Sequence, residues 1–377
     1  MNKTRARLIA FYLPQFYPIP ENDRWWGRGF TEWTNVAKAR PLFEGHYQPH
    51  LPANLGFYDL RVPEVREAQA NLARSYGIEG FCYWHYWFHG RQILERPFAE
   101  VLSSGRPDFP FCLGWANETW SRRWHGSGSP NEILQEQRYS IEDDRNHIRW
   151  LISAFADPRY IKVGGRPLLL VYRPTDLPDA KRTTDVFRAE CVKQGVPEPY
   201  LLASNSHKDR DYRELGFDRT LEFEPQLGLL PGPNEDGLKI YDYVMARQRM
   251  ASRKRDFPIY PCIFVRWDNT PRRAGNGIVF INSTPENFES GLERLVEFVQ
   301  SEPYDKRLIF INAWNEWAEG NHLEPDLRYG LRYLEAVKRV NEPKQEASTG
   351  QESRVLRASS QVVRAENINF GRPFALR

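Results

Sequence analysis

From Arg7 to about Val340 the chain alternates short uninterrupted apolar runs with stretches in which apolar residues recur every three or four positions. Uninterrupted runs of this length, rich in β-branched and aromatic residues, suit strands buried on both faces. Eight are predicted: Leu8–Leu13, Ile78–Trp84, Phe109–Trp115, Leu168–Tyr172, Tyr200–Ser204, Arg219–Phe223, Tyr260–Val265 and Leu308–Ile311. The helical spacing predicts Pro63–Tyr76, Arg91–Ser103, Asp143–Phe155, Asp179–Gln194, Tyr241–Arg253, Glu286–Gln300 and Leu327–Val340. A strand followed by a helix, repeated this often, predicts an α/β protein with a (β/α)8 TIM barrel and long βα loops. The weak link lies between Tyr200–Ser204 and Arg219–Phe223, where only a turn of helix at Tyr212–Leu215 is visible. An open doubly wound sheet is the alternative, but no glycine-rich turn follows a strand to support nucleotide binding there. Beyond Asn341 the periodicity lapses into Glu, Gln, Ser, Arg and Gly. Residues 1–341 are therefore read as the barrel domain and 342–377 as a flexible C-terminal tail.

Barrel strands deliver their loops to one face, so the residues just past each strand are the candidates for chemistry. The first strand carries Tyr12 near its end and leads into a Trp-rich excursion that carries Glu32, Trp33 and Asn35 and closes at His50. Tyr83, His85 and Tyr86 follow from the second strand, and Asn117, Glu118, Trp120 and Trp124 from the third. Asn205, Glu222 and Trp267 come from later strands. All are candidate substrate contacts, with Glu118 readable either as a catalytic acid or as an anchor for Arg122 or Arg123. His85 and His89 have i, i+4 spacing, yet they sit at a strand end without the glutamate of a zinc motif, so no metal site is predicted. Arg247–Arg255, Arg272 and Arg273 read as a solvated helix face and loop.

The densest chemistry is in Leu308–His322, where a buried strand gives way to Trp314, Asn315, Glu316, Trp317 and Glu319. Extended, Glu316 and Glu319 would lie roughly 10 Å apart at Cα, and a turn at Gly320 brings them to about 5–6 Å, close enough to share one small substrate. Indoles suit the C–H face of a sugar ring, and Asn and Glu suit its hydroxyls. Asn315, Trp317 and His322 join the candidate contacts, and Glu316 and Glu319 are the candidate catalytic pair. Trp33, Trp84, Trp87, Trp115, Trp120, Trp124, Trp267, Trp314 and Trp317 all fall at or beyond strand ends, and some are expected to line sugar subsites.

Composition narrows the partners. Among 377 residues, 52 basic and 49 acidic side chains nearly balance, which argues against a dedicated nucleic-acid surface. Aromatic residues make up 14%, including 12 Trp and 18 Tyr, mostly beside polar residues, a mixture that favours carbohydrate. No apolar run is long enough to span a membrane. The four cysteines, Cys82, Cys112, Cys191 and Cys262, form no CxxC pair, so reduced thiols in the cytoplasm are expected.

Five segments together resemble one family: Phe11-Tyr-Leu-Pro-Gln-Phe16, Gly29-Phe-Thr-Glu-Trp-Thr-Asn35, Gly80-Phe-Cys-Tyr-Trp-His-Tyr-Trp-Phe88, Trp115-Ala-Asn-Glu-Thr-Trp120 and Trp314-Asn-Glu-Trp-Ala-Glu-Gly320. They look like the WbsX-type proteins of bacterial surface-polysaccharide gene clusters, over about Leu8 to Val340. That group is similar to glycoside hydrolase family 99, endo-α-mannosidases and endo-α-mannanases with a (β/α)8 barrel and no metal. The resemblance implies that Glu316 takes the proton from a sugar 2-hydroxyl and that Glu319 is the acid/base at the glycosidic oxygen, with a 1,2-anhydro-sugar between them. It implies a cofactor-free, retaining endo-glycosidase or transglycosylase acting on a surface polysaccharide or its precursor. The alternatives are a glycosyltransferase of O-antigen or lipopolysaccharide biosynthesis, since WbsX-type proteins commonly carry that label, and a non-catalytic glycan-binding protein. Asp209-Arg-Asp211 has the letters of a transferase metal motif but lies in a polar loop without supporting context.

Overall fold

The computed structural model describes residues 4–122, 132–206, 209–232 and 236–343. Its eight barrel strands are β1 Arg7–Tyr12, β2 Gly80–Phe88, β3 Phe111–Trp115, β4 Arg166–Val171, β5 Tyr200–Ser204, β6 Arg219–Glu222, β7 Ile259–Phe264 and β8 Leu308–Asn312. All neighbours pair in parallel in chain order, and β1 pairs with both β2 (Ile9↔Gly80) and β8 (Arg7↔Leu308), so the sheet closes. β1, β2, β3, β5 and β8 are buried at every position, which is why they read as continuous apolar runs. Each fully buried Leu, Ile or Phe in them is worth about 1.5–3 kcal/mol of transfer free energy.

Among the described residues seven longer helices surround the barrel: α1 Pro63–Ser75, α2 Arg96–Ser104, α3 Ile141–Phe155, α4 Ala180–Lys193, α5 Tyr243–Ala251, α6 Pro285–Val299 and α7 Arg332–Asn341. Four of them start on side-chain caps, with Ser140, Asp179, Asp242 and Thr284 accepting from the backbone N–H three residues on. Among the described residues between β5 and β6 there is only a single 3-10 turn, Arg213–Leu215, where the sequence shows its weak link. Residues 4–343 belong to one compact unit. Apart from Glu342 and Pro343, the expected tail lies outside the described residues. Among the described residues no helix is long and apolar enough to cross a membrane.

Two element boundaries differ from expectation for a visible reason. β2 continues to Phe88 because it folds back on Arg91–Ile93 as a hairpin, with His89 and Gly90 at positive φ, so the helix expected from Arg91 begins at Arg96. The final helix begins at Arg332, not Leu327, because Asp326 holds the backbone N–H of Arg328 and of Tyr329 in a turn. The solvated reading of the arginines holds for Arg249, which is exposed, and fails for Arg247 and Arg255. Arg247 is buried against Glu224, and Arg255 is paired with Glu222. The four cysteines are free and buried.

Inside the barrel the mouth of the sheet is plugged by rings. Phe11 stacks on Trp84 at 4.7 Å and meets Phe223 edge-on at 5.3 Å. Trp84 and Phe223 expose their upper sides to the cavity above, so the core is also the floor of the site.

Candidate active site

Above this floor is a cavity of about 190 Å³, lined by residues from most of the βα loops. Glu316 and Glu319 both border it, with Glu32, Glu118 and Arg272. Aromatic walls come from Trp25, Trp26, Trp84, Tyr86, Trp120, Tyr172, Phe223 and Trp267.

The acid loop is held by backbone stitching. Past β8, the Trp314 N–H donates to Phe11 O at 2.7 Å, and the Asn315 side chain mimics a strand partner for Leu13. Asn315 Oδ1 accepts from Leu13 N at 2.7 Å while its Nδ2 donates to Leu13 O at 3.0 Å. Asn315–Glu316 then pairs antiparallel with Asn321–His322 across the tight turn Trp317–Glu319. Gly320 closes that turn at φ +60°, and a Cβ there would stand 3.1 Å from both Asp268 and His50, so backbone conformation and space each demand glycine. Beneath the turn, Trp317 stacks on His322 at 3.7 Å and donates its Nε1–H to Glu324 at 2.6 Å.

Arg272 enters this pair from the loop after β7. Asp268 fixes the loop: its N–H donates to Glu319 O at 2.7 Å, and its Oδ1 accepts from Thr270 N and Oγ1 at the start of the short helix Thr270–Arg273. Its Oδ2 accepts from His46 Nε2 at 2.7 Å and Gln48 Nε2 at 2.6 Å. The guanidinium so placed donates to Glu319 at 2.6 Å, to Glu316 at 3.2 Å and to Glu32 at 3.2 Å. Burial and the neighbouring carboxylates push both Glu316 and Glu319 upward, and Arg272 opposes that rise. Glu118 is pushed up to about 7 by burial, although Arg173 lies 3.2 Å away.

Of the other residues singled out in the sequence, Glu32, Tyr86, Glu118, Trp120 and Trp267 border the cavity. The remaining described ones stand behind it. Tyr12 donates to Gln69, Tyr83 packs on Tyr12 and Phe98, and Asn35 donates to Glu32 at 3.4 Å. Asn117 joins two loops by accepting from Arg173 N at 2.7 Å and donating to Arg173 O at 2.9 Å. Asn205 accepts from Phe223 N at 3.1 Å, and Glu222 is engaged by Arg255. His85 sits against His147 at 3.0 Å and stacks on Trp150. Trp33 donates to Tyr58 O and packs on Trp317. Trp124 lies outside the described residues. Of the remaining tryptophans at strand ends, Trp84 borders the cavity, whereas Trp87, Trp115 and Trp314 are buried in the core.

Several lining residues were not singled out in the sequence, among them Trp25, Trp26, Asn22 and Arg272. Trp25 and Trp26, a doubled indole in a polar segment, did carry a signal. Asn22, fully buried with no hydrogen-bond partner for either amide atom among the described residues, and Arg272 carried none.

Among the described residues one group, His50, His322 and Asp326, has the spacing of metal ligands. Its donors are already engaged. The His322 tautomer assigned by its neighbours donates Nδ1–H to Glu324 O at 2.8 Å, leaving Nε2 to accept from Arg266 at 2.9 Å, with His50 Nδ1 at 3.1 Å. Arg266 also donates to Asp326 at 2.7 Å, so a guanidinium stands where a cation would. Burial lowers both imidazoles, His50 to about 3, and keeps them neutral.

Comparison with known proteins agrees with this barrel. A chain described as a glycoside hydrolase-like protein superposes with TM-score 0.58 at 12% identity, covering 91% of this chain and 95% of that one. The GH99 endo-alpha-mannosidase from Bacteroides thetaiotaomicron superposes with TM-score 0.53 at 14% identity, covering 89% and 96%. At such identities the likeness concerns the fold. Among curated proteins, WxcX from Xanthomonas campestris pv. campestris strain B100 is 44% identical over 346 residues, 89% of this chain, and WxcX from strain ATCC 33913 is 44% identical over 345 residues. The chain spans about half the length of these curated relatives, 49% in each case. The family model described as Glycosyltransferase WbsX matches residues 8–337, and the chain belongs to that family.

Proposed function

We propose that this protein is a retaining endo-glycosidase or transglycosylase that acts on a bacterial surface polysaccharide or its precursor. The observation that carries the reading is that Glu316 and Glu319, three residues apart on one turn, open into a single aromatic-walled cavity. Acids so placed from one loop are poorly arranged to flank an anomeric carbon from opposite sides, the usual arrangement in retaining enzymes. They suit neighbouring positions of one sugar. The Glu316 carboxylate takes the 2-hydroxyl proton, O2 attacks C1, and Glu319 protonates the departing glycosidic oxygen as its bond to C1 breaks. In the second step water or a sugar hydroxyl opens the 1,2-anhydro ring at C1, giving its proton to Glu319 while Glu316 returns one to O2. A hydroxyl acceptor makes the same chemistry a transfer, which accommodates the family's description. The four buried free thiols suit a reducing compartment, and a cytoplasmic, lipid-linked or recycled glycan is the proposed substrate.

The free protein sets a condition on these roles. Arg272 approaches Glu319 more closely than Glu316, which favours the ionised form of Glu319, whereas the first step needs Glu319 protonated. Sugar binding must therefore draw Arg272 away from Glu319. The test is incubation of the protein with isolated polysaccharide and its lipid-linked precursors in ¹⁸O-water, with products read by mass spectrometry. Shortened or transferred glycans are expected from the parent and not from Glu316→Gln. Glu319→Gln should regain activity on aryl glycosides with good leaving groups, because protonation of the leaving group then matters less. No product from any glycan, or rescue of Glu316→Gln instead, overturns the proposal or its assignment of roles respectively.

A further inference from the structure

Trp267 has a cavity on each side. One is the acid-lined cleft; the other, about 230 Å³, is walled by Tyr47, Arg266, Asp268, Arg328 and Tyr329 and by the polar turn at Asn282–Thr284. The two differ in charge. Four carboxyl groups (Glu32, Glu118, Glu316 and Glu319) and one guanidinium, Arg272, border the cleft, whereas two guanidinium groups and one carboxylate border the second cavity. Of those three, Asp268 is covered by donors from His46, Gln48 and Thr270, and Arg266 is matched by Asp326. Arg328 has no carboxylate partner among the described residues. Its guanidinium lies over the rings of Tyr47 at 4.7 Å and Tyr329 at 5.0 Å, a double stack that restrains the side chain while leaving its N–H edge available. The cleft's opposite flank, where Glu118 and Asp176 share Arg173, is acidic again.

We infer that the cavity beyond Trp267 is a subsite for an anionic sugar residue of the same glycan, whose carboxylate or phosphate is bound by Arg328. The inference rests on the glycan reading of the central cleft and adds a substrate class to it. A planar guanidinium offers two parallel N–H groups to a carboxylate or phosphate, and a sugar ring can lie against the indole and phenol walls. An acidic residue is disfavoured among the carboxyl groups of the central cleft and at the Glu118 flank. It is accepted only at the Arg328 end, so a glycan with a periodic acidic residue would be held in one register and one direction.

The test uses D-glucuronate, glucose 6-phosphate, D-glucose and inorganic phosphate as probes, with dissociation constants from ligand-observed NMR. At least one acidic sugar should bind tenfold or more tightly than glucose and tighter than inorganic phosphate, with glucuronate and the sugar phosphate distinguishing the two anions. Arg328→Gln, on an exposed side chain whose removal should leave the thermal melt unchanged, should weaken that binding tenfold or more. Arg328→Lys should recover part of it. A Glu316→Gln/Glu319→Gln double variant should retain it, because the site lies outside the acid pair, and that result stands whether or not the cleft proves catalytic. Acidic sugars binding no tighter than glucose, inorganic phosphate binding as tightly as the acidic sugars, indifference to Arg328→Gln, or loss in the double variant would each overturn the proposal.

Discussion

Replacing Arg272 by Met removes the shared cation from Glu32, Glu316 and Glu319 while keeping a side chain that can fill much of the space. The four side chains are between 1% and 14% exposed, so water screens them little. Taking one partner from a buried ion pair costs about 3–5 kcal/mol when the remaining charge is stranded. A carboxylate can escape by binding a proton, at about 1.4 kcal/mol per unit of pKa rise once the solution is above that pKa. Burial and the neighbouring carboxylates already hold Glu316 and Glu319 above the ordinary carboxyl value, and Arg272 lowers both, so its loss lifts them further. An acid whose folded pKa exceeds its unfolded one carries no penalty below the unfolded pKa and loses stability as pH climbs from there toward the folded value. Glu316, already raised to about 8, adds little until the pH passes that value, so the growth below pH 8 comes from Glu319, and the destabilisation by Arg272→Met is expected to be about 1 kcal/mol near pH 5 and to reach about 3–5 kcal/mol by pH 8. Denaturant unfolding of parent and variant at three pH values across that window measures it without any substrate. A difference that stays within about 0.5 kcal/mol at all three, or shrinks as pH rises, would refute the view that Arg272 neutralises the acid pair.

Two further outcomes follow from the walls and supports. Glu324 accepts from Trp317 Nε1, Tyr58 Oη and Gln69 Nε2 at 2.6–2.7 Å, and Glu324→Gln turns one acceptor into a donor facing them. A loss of about 1–3 kcal/mol per stranded donor is expected in denaturant melts, and an unchanged midpoint would mean that the network is not what holds the acid loop. Trp33→Ala and Trp317→Ala remove core packing and should cost about 3–5 kcal/mol of stability. Trp120→Ala should leave the fold nearer to the parent and weaken binding of the product glycan by about 1–3 kcal/mol. The reverse pattern would move the glycan out of the cleft.

The barrel was legible because its strands are buried on both faces, so each announces itself as an unbroken apolar run, and because helices with a wet side separate them. The acid pair was legible for a local reason: Glu316, Glu319 and Gly320 lie within one turn, and sequence spacing there is nearly spatial spacing. The tryptophans show where that reasoning stops. Position past a strand end does not say which way a ring points, and Trp33 and Trp317 turn down into the supports while Trp25, Trp26 and Trp120 turn toward the cavity.

Arg272 marks the same limit for charge. It stands 47 residues before Glu319 and 240 after Glu32, in a four-residue helix beside a second arginine, with nothing in its neighbourhood to separate it from a solvated loop. Its placement is made by Asp268, whose carboxylate holds the first residue of that helix and gathers His46 and Gln48 from the first long loop while its N–H grips Glu319 O. The aspartate thus ties three loops to one point without bordering the acid cleft itself, and Gly320 leaves only enough room for its Cβ. Any residue larger than glycine at 320 would press on the support of the cation and on the turn that carries both acids. For this reason the short Glu-Gly at 319–320 constrains the electrostatics of the site as much as its backbone.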